Sequence, residues 1–195
     1  MKKLLLTTIV AILLFNNVQA QMPDGSTAPD FTLVDLAGDT HNLYTYLDSG
    51  YTVFIDFSAI WCGPCWSYHE SGALEDLYIN HGPLGMEGVS ETTTDDVMVF
   101  FCEGDEGTLA ELNGGTGSQG DWVTGTPYPI LPTYSGTNSA QISSDYQIGY
   151  WPTLYRICPD RLTKEGTSSN PYSLVSACPA PGSNDNDART FDYAG

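Results

Sequence analysis

The pentapeptide WCGPC at residues 61–65 constrains the fold of this chain more than any other feature. It follows a strongly apolar run at 51–57, which predicts a buried strand, and precedes a sequence that predicts a helix. Two cysteines separated by two residues can close a small ring, and backbone N–H groups at a helix start favour the thiolate of the first, Cys62. Pro64 suits the first helical turn, where its missing N–H would have no partner. The motif therefore predicts a reversible dithiol/disulfide formed by Cys62 and Cys65.

Three other interpretations of the cysteine pair compete with redox chemistry: half of a zinc site, a purely structural disulfide, or two buried thiols. Zinc would need two more ligands at similar spacing, but the other cysteines are isolated and the three histidines form no pair at ligand spacing. We therefore expect no metal, and no cofactor beyond the redox-active disulfide itself. The structural disulfide and the buried thiols stay open as alternatives.

An acidic residue, Asp56, lies inside the apolar strand six residues before Cys62. Burial of a carboxylate without partners is costly and should raise its pKa, which indicates a proton-handling role. The alternative is a side chain that points to solvent on an alternating strand. Its neighbours Ile55 and Phe57 are both large and apolar, as in a strand buried on two faces, and this favours the functional interpretation.

The stretch at 53–62 resembles the core segment of thioredoxin, in which an acid lies six residues before the first cysteine. The run at 128–157 is similar to the second half of the TlpA-like, AhpC/TSA-related branch of the thioredoxin superfamily. In that branch a Pro followed by Thr opens a strand with a cis peptide bond that faces the cysteines. Pro152 matches that proline. The resemblance covers roughly residues 28–158. It implies catalytic roles for Cys62, Cys65 and Asp56, and substrate-binding roles for Trp61, Gly63, Pro64, Trp151 and Pro152.

Apolar runs predict five strands, several of them too continuous for a half-exposed sheet: 31–36, 51–57, 97–102, 128–131 and 153–158. One helix is predicted over 66–80 and a second, short one over 108–113. This βαβ pattern indicates an α/β fold with a mixed central sheet flanked by helices. Such an architecture is thioredoxin-like, in agreement with the resemblance.

The segment at 114–132 is a Gly/Thr/Pro-rich insertion that carries Trp122, Tyr128 and Ile130. Long loops of this kind are uncommon in compact domains unless they bind something or lack order. It resembles insertions in secreted thioredoxin-like proteins of the Bacteroidetes type. We expect either a lid or client-binding rim near the cysteines, or, as the favoured alternative, a surface loop whose aromatic side chains pack back onto the core.

Three cysteines remain outside the motif. Cys158 and Cys178 are the candidate structural disulfide, which would fasten the C-terminal segment to the domain. Cys102 ends an apolar strand and is expected to be a buried free thiol. Pairing of Cys102 with Cys158, or a third redox thiol, stays open. His69, one helical turn after Cys65, is expected to be a solvated helix residue.

The first 20 residues have the charged, hydrophobic and cleavage regions of a secretory signal peptide. We expect a thioredoxin-like domain at 22–178, and a linker or the start of a further segment at 179–195. The mature chain should have no stable membrane span and should lie outside the cytoplasm, in the periplasm, at the cell surface or secreted, where disulfides persist. The 24 acidic side chains against six basic ones, a net charge of −18, exclude nucleic acid as a partner.

These observations predict an extracytoplasmic thiol-disulfide oxidoreductase whose partners are client proteins with cysteines and an unidentified redox partner. The Gly63 and Pro64 pair matches reducing thioredoxins, which favours the reductase direction. One alternative is a redox-inactive binding or adhesion module in which the cysteine pair is a permanent disulfide. Another is a thiol peroxidase, although Ala59 stands three residues before Cys62 where a peroxidase would have Thr.

Overall fold

A five-stranded mixed sheet forms the centre of the computed structural model, which describes residues 21–133 and 141–179. Along the sheet the strands follow the order β5-β4-β3-β6-β7, and β3 is parallel to β4 but antiparallel to β6. The strands are β3 (Thr52–Ser58), β4 (Val97–Glu103), β5 (Ile130–Leu131), β6 (Thr153–Ile157) and β7 (Thr163–Glu165). Every residue of β3 and β4 is buried, as their continuous apolar sequences require.

A small antiparallel hairpin and several short helices surround this sheet. The hairpin consists of β1 (Thr32–Val34) and β2 (Thr40–Asn42). The α-helices are α1 (Leu43–Asp48), α2 (Gly63–His69), α3 (Ala73–His81), α4 (Leu109–Leu112) and α5 (Ile142–Asp145), and a 3₁₀ helix spans Pro171–Ala177. A mixed central sheet flanked by helices confirms the predicted fold class.

The register of the sheet assigns Asp56 to the face that α2 covers. Asp56 lies opposite Phe101 of the neighbouring parallel strand, so both side chains leave the same face. The Phe101 ring contacts the rings of His69 in α2 and Trp122. Phe57 leaves the opposite face, where its ring contacts Tyr146 and Tyr155.

The single helix predicted over 66–80 is wrong. The chain forms α2 and α3 instead, separated at Gly72, whose φ of 71° lies in the left-handed region. Glycine adopts this conformation without steric penalty, and the Ser71 hydroxyl stabilises the break by donating to the Tyr68 carbonyl at 2.6 Å. The apolar periodicity runs across the break, which explains why it predicted one helix.

The 114–132 insertion packs onto the core, as the favoured alternative describes. Trp122 is fully buried, and its ring contacts Trp66 edge to face at 4.9 Å between centroids. Tyr128 and Ile130 are also buried. The end of the insertion contributes β5, which is two residues shorter than the strand predicted at 128–131.

The chain after β7 crosses back over the helical face. The 3₁₀ helix contacts α3, where Tyr172 stacks on His81 with 3.4 Å between ring centroids. A disulfide joins Cys158 to Cys178 and closes this segment. The predicted signal peptide at 1–20 and residues 180–195 of the predicted linker lie outside the described residues. Within the described ranges no helix combines the length and the hydrophobicity that a membrane span requires.

Candidate active site

The cysteine pair lies where the central strand β3 passes into α2. Cys62 and Cys65 form a disulfide, and Pro64 occupies the first turn of the helix. Cys62 is the N-cap of α2, and its sulfur accepts a hydrogen bond from the Cys65 N–H at 3.2 Å. Backbone N–H groups and the positive end of the helix dipole stabilise negative charge at this position. On reduction, Cys62 is therefore the sulfur best placed to become a thiolate.

Asp56 is completely buried beneath α2. One carboxylate oxygen accepts a hydrogen bond from the Ser58 hydroxyl at 2.8 Å, and the other has no partner among the described residues. Desolvation raises the pKa of Asp56 to about 7, and the Ser58 hydrogen bond opposes that shift. A carboxyl group with such a pKa can take up or release a proton near neutral pH, whereas an exposed aspartate stays ionised.

Trp61, immediately before Cys62, is 51% exposed but is held at two points. Its indole N–H donates to the Asp105 carboxylate at 2.7 Å, and its carbonyl accepts from the Gln119 side chain at 2.8 Å. Asp105 follows β4, and Gln119 belongs to the 114–132 insertion. Two segments distant in sequence therefore hold Trp61, one through its ring and the other through its backbone.

The Trp151–Pro152 peptide bond is cis and directly precedes β6. Thr153, the first residue of β6, pairs with Phe57 near the end of β3, so Pro152 lies at the same end of the sheet as the cysteine pair. The Trp151 ring is half-buried and packs against Gly104, where a Cβ atom would lie only 2.4 Å from the ring. The fold therefore brings the predicted substrate-binding residues of both halves of the chain to one end of the sheet.

Cys102 is a buried free thiol whose side chain leaves the sheet face opposite Asp56. Desolvation is the main reason that its pKa lies well above the usual thiol value, and the nearby carboxyl groups of Glu103 and Asp56 add to the shift. A thiol with so little thiolate character and no solvent access is unreactive.

The expectation that His69 is solvated is wrong. Its ring stacks on Trp66 and contacts Trp122, while its two nitrogens lie 3.3 Å from the Tyr128 hydroxyl and 3.4 Å from the Thr126 hydroxyl. Desolvation lowers the pKa of His69, so it is neutral at pH 7. The physical reason is that the 114–132 insertion packs against His69. The position of a residue along a helix does not predict such packing.

Sequence reasoning missed two carboxyl groups near the site, Glu103 and Asp105. Glu103 is the last residue of β4 and is fully buried, and Asp105 holds the Trp61 indole. The only available signal was an acidic residue directly after an apolar strand. Among the described residues no group of three or more His, Cys, Asp or Glu side chains is arranged to hold a metal ion.

Comparison with known proteins adds to this geometry. No family model matches the chain. Over 63 residues it is 43% identical to the thiol-disulfide oxidoreductase ResA of Geobacillus kaustophilus and to that of Geobacillus thermodenitrificans. Those residues make up 32% of this chain and 34% of each relative, so the match spans about a third of the curated relatives.

Solved structures match a larger share of the chain. The thioredoxin domain of a thiol-disulfide oxidoreductase from Bacteroides vulgatus superposes with a TM-score of 0.54 at 17% identity, covering 80% of this chain and 97% of that one. The exposed lipoprotein thioredoxin of Streptococcus pneumoniae gives a TM-score of 0.51 at 19% identity, covering 76% and 99%. The chain therefore has a thioredoxin-like fold, similar to that of known thiol-disulfide oxidoreductases.

Proposed function

We propose that this chain is an extracytoplasmic thiol-disulfide oxidoreductase that exchanges disulfides with client proteins through Cys62 and Cys65. The main observation behind this proposal is the position of the cysteine pair. Cys62 caps α2, and a fully buried Asp56 lies on the sheet face beneath that helix. Helix N–H groups favour the thiolate of Cys62, and Asp56 has a pKa suited to proton exchange near neutrality.

In the reductase direction, the Cys62 thiolate attacks one sulfur of a client disulfide. A mixed disulfide forms, and the other client sulfur leaves as a thiolate. Asp56 then accepts the Cys65 proton, and the Cys65 thiolate attacks the Cys62 sulfur, which closes the Cys62–Cys65 disulfide and releases the second client thiolate. Two electrons pass to the client, and a separate redox partner must supply two electrons to restore the dithiol. The reverse sequence would oxidise a client dithiol.

The groove for the client is formed by the residues that surround the pair: Trp61, Gly63, Pro64, Trp151 and Pro152. Trp61 and Pro64 are exposed, and Trp151 and Pro152 are half-buried at the same end of the sheet. An extended client segment that passes between these rings can bring its disulfide to Cys62. The Gly63 and Pro64 pair supports the reductase direction.

Location outside the cytoplasm rests on two observations. The signal-like sequence at 1–20 is the first, and the Cys158–Cys178 disulfide, a bond that persists in oxidising compartments, is the second. The similarity to a thioredoxin described as an exposed lipoprotein supports the same location.

Insulin reduction by dithiothreitol tests the activity, with wild type compared against Cys62→Ser. We expect wild type to accelerate insulin precipitation and Cys62→Ser to give the uncatalysed rate, while Cys65→Ser should accumulate a mixed disulfide visible by mass. Equal, negligible rates for wild type and Cys62→Ser would refute the proposal. Measurement of the reduction potential of the Cys62–Cys65 couple assigns the direction, because a strongly negative value favours a reductase.

A redox-inactive binding module is the second candidate, and one observation favours it. Cys62 is only 4% exposed in the disulfide form, whereas attack on a client or by a reductant needs access to this sulfur. If the pair is permanent, dithiothreitol at a concentration that reduces thioredoxin should leave Cys62 and Cys65 unreactive towards iodoacetamide. Labelling of both cysteines under that condition excludes the binding module.

A further inference from the structure

Glu103 is a fully buried carboxyl group with no role in the proposed sulfur chemistry. It ends β4, and desolvation is the main cause of its raised pKa. Three donors surround its two oxygens: the Gly107 N–H at 2.7 Å, the Thr133 hydroxyl at 3.0 Å and the Asp105 N–H at 3.3 Å. Burial of a carboxyl group is costly, and these hydrogen bonds offset part of that cost by replacing the lost contacts with water. The same hydrogen bonds order the residues that follow β4.

The ordered residues, 104–107, are here called the Glu103 loop. The loop closes tightly around the carboxyl group, since a Cβ atom at Gly107 would lie 2.9 Å from the Glu103 carboxyl carbon. The Glu106 N–H donates to the Thr133 hydroxyl at 3.2 Å, which ties the loop to Thr133 as well. The loop shape therefore depends on one buried carboxyl group and one buried hydroxyl.

The Glu103 loop contacts Trp61, which directly precedes Cys62, and Trp151, which lies at the same end of the sheet. Asp105 accepts the Trp61 indole N–H at 2.7 Å, and Gly104 packs under the Trp151 ring, which leaves no room for a Cβ atom. The Gly104 N–H also donates to the Ser58 carbonyl at 2.9 Å, so the start of the loop is hydrogen-bonded to the end of β3. One short segment thus fixes the positions of both rings.

We propose that Glu103 is a positioning residue that sets the client groove by holding Trp61 and Trp151 in place through the Glu103 loop. This inference rests on the proposed oxidoreductase function. Glu103 acts through the two rings and not on the sulfur atoms. Its loss therefore weakens the binding of a protein client but leaves the intrinsic reactivity of Cys62 unchanged.

The test is Glu103→Gln, which preserves size but replaces one acceptor oxygen with an amide NH₂ that faces backbone N–H donors. We expect the KM for insulin to rise about tenfold, equivalent to one lost buried hydrogen bond. The rate at which the reduced protein reacts with the small disulfide 5,5′-dithiobis(2-nitrobenzoate) should stay within about twofold of wild type, because a small disulfide needs no groove. The Trp61 indole N–H resonance, assigned with Trp61→Phe, should shift.

Two further variants complete the experiment. Thr133→Val removes one donor to Glu103 with little change in shape, and it should raise the insulin KM in the same direction even if Glu103→Gln fails to fold. Glu111→Gln is the matched control, because Glu111 is half-buried and its carboxylate accepts hydrogen bonds from the N–H and the hydroxyl of Thr108, the N-cap of α4. The control should retain the wild-type insulin KM.

The inference is overturned if Glu103→Gln and Thr133→Val both leave the insulin KM and the Trp61 resonance at wild-type values. It is also overturned if they slow the small disulfide as much as insulin, since that result indicates general damage to the site. Failure of the oxidoreductase function itself is distinguishable: wild type would then be inactive on both substrates, and the Trp61 resonance would still report whether Glu103 holds the ring.

Discussion

At Asp56, burial and hydrogen bonding act in opposite directions on one carboxyl group. Desolvation beneath α2 raises the pKa to about 7, and the Ser58 hydroxyl partly offsets this by stabilising the charged form. The unfolded chain releases the same proton near pH 3.8. The pKa shift of Asp56 therefore lowers the free energy of unfolding in neutral solution but not in acid.

The sign of the resulting pH dependence follows from linkage. Below the pKa of Asp56 in the unfolded chain, the folded and unfolded states both hold the proton, so the ionisation of Asp56 does not change the free energy of unfolding. As the pH rises to about 7, only the unfolded state releases it, and the folded state loses on the order of 4 kcal/mol relative to acid. Asp56→Asn removes the titration, so its free energy of unfolding should exceed that of wild type at pH 8, with the difference shrinking towards pH 4.

Urea unfolding at pH 8 and pH 4.5 measures this difference. Asp145→Asn is the control for the same chemical change at the surface, because Asp145 is exposed. A constant difference between Asp56→Asn and wild type across the pH range would contradict the assigned pKa.

At the scale of elements, the 114–132 insertion is part of the core although its composition is that of a loop. Its Trp122 is fully buried between Trp66, His69 and Phe101, and its indole N–H donates to the Ser118 hydroxyl at 3.0 Å. The burial of this ring supports α2 from outside the sheet. The insertion therefore stabilises the helix that carries the cysteines.

Trp122→Ala should consequently lower the free energy of unfolding by about 3–5 kcal/mol, the range for removal of a buried aromatic side chain. Trp61→Ala is the comparison, because Trp61 is half exposed and its loss should cost no more than about 1 kcal/mol. Chemical denaturation of both variants measures the two losses. If Trp122→Ala lowered the free energy of unfolding by no more than Trp61→Ala does, Trp122 and the insertion would not belong to the core.

The boundaries of the observed helices and strands show which elements the periodicity of apolar residues did not predict. The runs that became β3, β4 and β6 were predicted closely, because strands buried on both faces leave continuous apolar sequences. The break at Gly72 was missed, as were β2, α1, α5 and β7, because short or half-exposed elements depend on partners elsewhere in the chain. The short helix α4 lies within the range predicted at 108–113, and the structure shows that a capping box formed by Thr108 and Glu111 begins it.

For the whole molecule, the Cys158–Cys178 disulfide closes a segment that crosses the helical face. Within that segment the Ser168 carbonyl accepts a hydrogen bond from the Tyr68 hydroxyl of α2 at 3.1 Å, and the Tyr172 hydroxyl donates to Asp96 at 3.0 Å. The segment thereby covers the cysteine helix and α3 together.

Replacement of Cys158 and Cys178 by alanine should lower the free energy of unfolding by about 3 kcal/mol, the chain-entropy value for a loop of this length. The separation is 20 residues for this pair but three for Cys62 and Cys65, so replacement of the latter pair should cost less. Urea unfolding of the two double variants under oxidising conditions measures both losses. The reverse order would contradict a stabilising role for the longer loop.

The sequence by itself determined the central strands β3, β4 and β6, the redox motif and the acidic residue within β3. Each is encoded locally: continuous apolar runs specify buried strands, and the spacing in WCGPC specifies a small ring at a helix start. Only the tertiary structure decided which distant residues meet the motif. Asp105 reaches the Trp61 indole, and Gly104 meets the Trp151 ring, because strand order and register bring the C-terminal ends of β3 and β4 and the N-terminal end of β6 together. That juxtaposition depends on long-range pairing, which no local pattern of residues contains.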